Sequence, residues 1–122
     1  MARVRANNAR GGGGITEPLV FSVRAQAIAG NVQWHFNQAI LNYFTKIKLL
    51  SSADAQQYLN DSYVNVTDTS ATFSVNNATS VTISTTAIDI SSLTYDPTKE
   101  GSITIAGGSN AWRSFCVMLY ND

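Results

Sequence analysis

The chain has 122 residues, with charged side chains at only 13% of positions and a formal net charge of zero. That length allows one domain with one modest core, and the charged share is about half the usual value of roughly 25%, so the surface is not kept dispersed by repulsion and suits association. The single cysteine, Cys116, excludes an internal disulfide, and no run approaches the roughly eighteen apolar residues of a membrane span.

The first ten residues carry Arg3, Arg5 and Arg10 and no acid, and Gly11, Gly12, Gly13 and Gly14 follow. Four successive glycines lose more conformational entropy on ordering than any other residue type, so residues 1–14 read as a flexible, basic arm on a linker. Fully extended, fourteen residues reach about 45–50 Å, far enough to touch a neighbouring subunit or nucleic acid. The stretch has no apolar segment of the kind a signal peptide needs, so synthesis and retention in the cytosol, or release by lysis, are expected. Residues 15–122 form the second unit, a single β-rich domain.

In that domain, Pro18 to Arg24 reads as a first strand, with proline at its start and β-branched and aromatic residues behind it. Gly30 and Asn31 form a turn signal. Val32, Trp34 and Phe36 then alternate with Gln33, His35 and Asn37, the period of a half-buried strand. Residues 38–50 fit two templates. Ile40, Phe44 and Ile47 have helical spacing, whereas Leu41, Tyr43, Thr45, Ile47 and Leu49 fit one face of a strand. A strand over Tyr43 to Leu50 is preferred, with a helix over Asn37 to Leu49 as the alternative. A short helix follows, opened by Ser51 and Ser52 as caps with Asp54 in the first turn, and ending near Asn60.

From residue 62 onward the pattern is β. Short alternating runs occupy Tyr63–Val66, Ala71–Val75, Val81–Ser84, Ala87–Ile90, Leu93–Tyr95 and Ser102–Ile105. Turn signals stand between them at Asn76-Asn77, Asp96-Pro97 and residues 107–110. Strands every eight to twelve residues predict an antiparallel β-sandwich or barrel. In the last strand Phe115, Val117 and Leu119 share one face, and Cys116, Met118 and Tyr120 the other. Both faces are apolar, so the strand is covered twice: it is either central, or it uses Phe115, Val117, Met118 and Tyr120 to meet another subunit.

Catalytic chemistry finds little material. His35 is the only histidine and lies opposite Trp34 and Phe36, hence toward solvent or a partner; a serine-type triad would depend on it alone. One His and one Cys do not make a zinc site. The eight carboxylates are scattered, mostly in turns, and Asp61 with Asp68 is the only pair worth testing for calcium. The glycine run lacks the lysine and hydroxyl residue of a phosphate loop. A non-enzymatic chain without metal or other cofactor is therefore expected. Three arginines without interleaved aromatics make a weak grip on nucleic acid, so the arm is expected to contact protein. Trp34, Tyr95 and Trp112 are the aromatics a sugar-binding module would use.

A small Ser/Thr/Asn-rich β domain with an arm and no catalytic set resembles phage virion structural proteins, most closely the capsid cement or decoration proteins. The resemblance spans the whole chain in size, composition and architecture, without a diagnostic motif. It implies a jelly-roll-like sandwich, assembled as dimers or trimers on the major capsid protein lattice of the virion, with termini reaching adjacent subunits. A minor coat protein touching the genome, and a fibre or receptor-binding module that holds carbohydrate, are the alternatives.

Overall fold

The computed structural model describes residues 2–6, 17–27, 30–59, 64–75, 79–107 and 111–122, the backbone alone at 2–6, 79 and 92. Among the described residues, nine strands form two antiparallel sheets. They are β1 (Ala2–Ala6), β2 (Leu19–Gln26), β3 (Asn31–Asn37), β4 (Lys46–Leu49), β5 (Ala71–Val75), β6 (Thr79–Ile83), β7 (Ile88–Asp89), β8 (Glu100–Ala106) and β9 (Trp112–Tyr120). One sheet has the order β1-β2-β9-β4-β7, the other β3-β8-β5-β6.

The order has a simple origin. Among β2 to β9, the pairs β2·β9, β3·β8, β4·β7 and β5·β6 are those of one long hairpin folded at its middle. Rolling that hairpin adds the contacts β4·β9 and β5·β8. The product is a jelly-roll-like sandwich, the eight-stranded double Greek key, with β1 added outside β2. The expected fold class holds.

Alternation decides which residues fill the sandwich. Phe21 and Val23 from β2, Ile47 and Leu49 from β4, and Phe115, Val117 and Leu119 from β9 meet Val32, Phe36, Phe73, Val75, Ile103 and Ile105 of the facing sheet. Rings run through this core from one sheet to the other: Phe21 to Trp34 at 4.8 Å between centroids, Trp34 to Phe36 at 5.3 Å, Phe36 to Phe73 at 5.7 Å. The end of the β3–β8 ladder is closed by Gly107 donating its N–H to the Gly30 carbonyl. Both glycines have positive φ, which a side chain resists.

The ambiguous stretch 38–50 is resolved by dividing it. Asn37 caps a 3₁₀ turn over Gln38–Tyr43, its Oδ1 accepting from the Ala39 N–H at 2.9 Å, and the strand β4 begins only at Lys46. Gln38 is fully buried; its Nε2 donates to the Glu100 carbonyl at 3.1 Å. Helix α1 (Ser52–Tyr58) forms as expected, with Ser51 Oγ accepting from the Asp54 N–H and Asp54 in the first turn. Ala55 and Leu59, one helical turn apart, form its buried face.

Two expected strands join no sheet among the described residues. Within Tyr63–Val66, residue 63 lies outside the described residues, and 64–68 run extended without a ladder. This segment is held by Ser114 and Ser52: Thr67 and Asp68 N–H donate to the Ser114 carbonyl, and Val66 N–H to Ser52 Oγ. Leu93 to Tyr95 likewise joins no sheet, because the 3₁₀ turn Ile90–Ser92 before it, capped by Asp89, turns the chain away.

Candidate interaction surfaces

The N-terminal segment is the first surface. Where the sequence predicts a free arm, Ala2–Ala6 is laid along β2 as an edge strand. The register sets Ala2, Val4 and Ala6 opposite Val23, Phe21 and Leu19, whose side chains face the core. Arg3 and Arg5 stand opposite Ser22 and Val20. Alternation in the sequence Ala-Arg-Val-Arg-Ala thus matches the two sides of the sheet edge it joins. Arg10 and Gly11, Gly12, Gly13 and Gly14 lie outside the described residues.

The outward side of the β1–β7 sheet is the second surface, and here the sequence expectation needs correction. Phe115 and Val117 are 0% exposed and belong to the sandwich core. Met118, 6% exposed, shares a second cluster with Val20, Leu50, Ala55, Leu59 and Cys116, against which Val64, Val66 and Tyr120 pack. The cover on the outer side of β9 is therefore supplied by helix α1 and the segment 64–66 of the same chain. Of the four residues expected at a subunit interface, Tyr120 alone is partly open to solvent, with the Lys48 ammonium 5.5 Å from its ring centre. Burial pushes the Cys116 thiol up to about 12, the behaviour of a small core residue.

The same side collects positive charge. Arg24, Lys46 and Lys48 are on outward positions of β2 and β4, and Asp89 of β7 stands opposite Lys46. Lys46 has Asp122 at 3.7 Å. At the rim, Trp112 is 56% exposed, with the Arg24 guanidinium 4.8 Å from its ring centre. The other two candidate aromatics are engaged: Trp34 packs in the core, and the Tyr95 hydroxyl donates to Asn42 Oδ1 at 2.7 Å.

The outward side of the β3–β6 sheet is the third surface, and sequence reasoning did not single it out. Two rows of side chains cross its four strands. One is Thr82, Thr72, Thr104 and Gln33; the other is Ser80, Ser74, Ser102 and His35. With strands about 4.8 Å apart, each row covers roughly 14 Å. Gln33 Nε2 donates to Thr104 Oγ1 at 3.0 Å, Gln33 Oε1 pairs with His35 Nε2 at 3.0 Å, and the Ser74 and Ser80 hydroxyls are 3.0 Å apart. Apart from His35 and Glu100, whose atoms approach to 3.9 Å, these rows and their ends carry no ionisable group. The period-two pattern in each strand was visible in the sequence; the alignment of the hydroxyls into rows needed the register between strands.

The carboxylates mostly shape turns. Asp89 accepts from the Ser91 N–H and hydroxyl, and Asp96 from those of Thr98; these bonds hold both carboxyls below the usual range. Asp68 is bound to Arg113, and Asp61 lies outside the described residues. No group of three or more His, Cys, Asp or Glu side chains suited to a metal ion occurs among the described residues. His35 is exposed, as the alternation predicts. Among the described residues no helix is long and apolar enough to cross a membrane. Comparison with protein-family models, with curated proteins and with solved structures yields no match.

Proposed function

We propose that this chain is a non-enzymatic structural protein of a virus particle, of the phage capsid cement or decoration kind. It binds the major capsid lattice, stabilises the shell, and uses its N-terminal segment to reach a neighbouring subunit. The observation that carries this reading is the strand order β2-β9-β4-β7 over β3-β8-β5-β6, an architecture that recurs in viral capsid and lectin domains. The argument is one of fold analogy, since a fold alone assigns no chemistry. Two features narrow it: a sheet face of aligned hydroxyls whose ionisable groups among the described residues are His35 and Glu100, suited to close packing against a neighbour, and an N-terminal strand that adds to a sheet edge.

Sedimentation of virus particles tests it. The chain is expected to travel with intact shells at a fixed ratio to the major capsid protein, and shells stripped of it are expected to open at lower temperature. Thr72→Lys with Ser74→Lys, which places charge on the hydroxyl rows, is expected to lower occupancy while the domain stays folded. A chain that stays at the top of the gradient, with shell stability unchanged by its removal, overturns the reading.

A second reading, a fibre or receptor-binding module that holds carbohydrate, draws on the exposed Trp112 ring. It predicts glycan binding that Trp112→Ala abolishes. A minor coat protein facing the genome draws instead on the basic outward side of β2 and β4, and predicts salt-dependent binding to an oligonucleotide.

A further inference from the structure

We propose that β1 is an exchanged strand: Ala2–Ala6 of one copy completes the β2 edge of a second copy, in the register seen within a single chain. The proposal rests on the reading of the chain as an assembly protein, and names the neighbour that the N-terminal segment reaches.

The first argument is chain length. Ala6 and Leu19 stand opposite each other in the β1–β2 ladder, yet residues 7–18, twelve in all, join them. Antiparallel neighbours are usually joined by about two to five residues. Twelve residues span up to roughly 40 Å, whereas paired Cα atoms are about 5 Å apart. The connection is much longer than its own hairpin needs, and long enough to deliver β1 to an adjacent molecule.

The second argument is the independence of β1. Among the described residues it is an edge strand whose only ladder is with β2, so its departure breaks no other pairing seen there. Exchange between two copies recreates the same backbone bonds and the same register, which makes it a low-cost route to association. The remaining cost is the loss of independent motion of two molecules. A shell that already holds copies side by side has met most of it.

The third argument is the edge that β1 leaves behind. β2 directs Leu19, Phe21, Val23 and Ala25 toward the core along its length. An open edge of that length and composition invites uncontrolled pairing. A strand of matched alternation from a like neighbour closes it specifically, and the zero net charge of the chain sets no repulsion between copies.

Cysteine pairing tests this directly. Arg3 and Ser22 are cross-strand partners, at a separation that a disulfide accepts. Ser22 also stands opposite Cys116 across the β2–β9 ladder, so every chain in the test carries Cys116→Ala as well. One full-length chain carries Arg3→Cys and a second, with a different tag, carries Ser22→Cys; the two are co-expressed and oxidised. The expected result is a disulfide-linked heterodimer on a non-reducing gel, with unmodified chains giving none. In the double variant, Arg3→Cys with Ser22→Cys, linked dimers are expected in excess over internally linked monomers. Exclusively internal links in the double variant, or no heterodimer from the mixed pair, overturn exchange. A heterodimer from a chain that never sediments with particles leaves exchange standing and removes the virion reading. Particle association with only internal links does the reverse.

Discussion

Asp68 and Arg113 meet edge to edge: Arg113 Nε donates to Asp68 Oδ2 at 3.1 Å, and Nη2 to Oδ1 at 2.5 Å, with the two side chains 16% and 18% exposed. Arg113 Nη1 also donates to the Gly107 and Ala106 carbonyl oxygens at the end of β8. One guanidinium therefore joins the segment 64–68, strand β9 and the opposite sheet. Bidentate pairing of this kind is stronger than a single charged contact.

The pair gives stability a dependence on acid. The Arg113 hydrogen bond holds the Asp68 carboxyl below its ordinary value; burial opposes the shift, and the Thr67 hydroxyl and the Arg113 charge assist it. A carboxyl depressed in the folded state contributes fully above its unfolded pKa, about 3.9. That contribution is lost as pH falls through the lower folded value. Asp68→Asn is expected to cost about 1.5–3 kcal/mol near neutral pH, and the cost is expected to shrink near pH 3. Urea denaturation of both proteins at the two pH values measures it. A cost that stays constant in acid removes the ionic explanation.

Gly101 faces Phe36 across the β3–β8 ladder. A Cβ at Gly101 would lie 2.6 Å from Phe36 Cζ and 2.9 Å from the Ser74 carbonyl oxygen. The ring has little room to retreat, because its other neighbours are Trp34 and Phe73, and the carbonyl belongs to β5. Gly101→Ala is therefore expected to cost about 1–3 kcal/mol by overpacking. Combining it with Phe36→Leu should cost less than the sum of the two single changes, a coupling that a double-mutant cycle by chemical denaturation reads out.

Cys116 tests how firmly α1 covers the outer side of β9. With the thiol pushed up to about 12 by burial and the side chain inaccessible, a thiol reagent at mildly alkaline pH should react only through unfolding or through opening of the helix. The labelling rate should rise by orders of magnitude in denaturant. Labelling of the folded protein at the rate of a free cysteine would show that α1 does not stay in place.

These residues also show what could be read in advance. The two apolar sides of β9 were legible as alternation of Phe115, Val117 and Leu119 with Cys116, Met118 and Tyr120. What covers the second side was not, because the cover comes from α1 and Val64 and Val66, remote in sequence and marked by no motif. Val64 and Val66 mislead for a physical reason: an extended segment alternates whether or not it finds a ladder, and this one spends its backbone bonds on Ser52 and Ser114. Residues 38–50 carried both helical and strand spacing because they contain a turn and then a strand, divided after Tyr43. The Ser51 cap was readable, since capping is a local interaction. The hydroxyl rows on the β3–β6 sheet were not, since they exist only once register aligns four strands.

The correction at β9 leads to a pair of substitutions on opposite sides of one strand. Phe115→Asp puts a carboxylate among Phe21, Ile47 and the facing sheet, and Met118→Asp puts one beneath α1 beside Val20, Leu50 and Cys116. The cluster around Phe115 holds no cation and leaves the charge unpaired in a dry site. Lys48 stands opposite position 118 across the β4–β9 ladder, yet a carboxylate there must still leave water beneath α1, so each change costs several kcal/mol. That is comparable with the whole stability of a domain this size, about 5–15 kcal/mol. Both variants are expected to lose the cooperative thermal transition in near-ultraviolet circular dichroism. Tyr120→Asp is the control: its ring lies at the partly open rim of the same side, near Lys48, so the new charge remains solvated and the protein should stay folded. If Met118→Asp instead folds and changes only the oligomeric mass, α1 is not the permanent cover of β9, and that side of the strand returns as a contact between subunits.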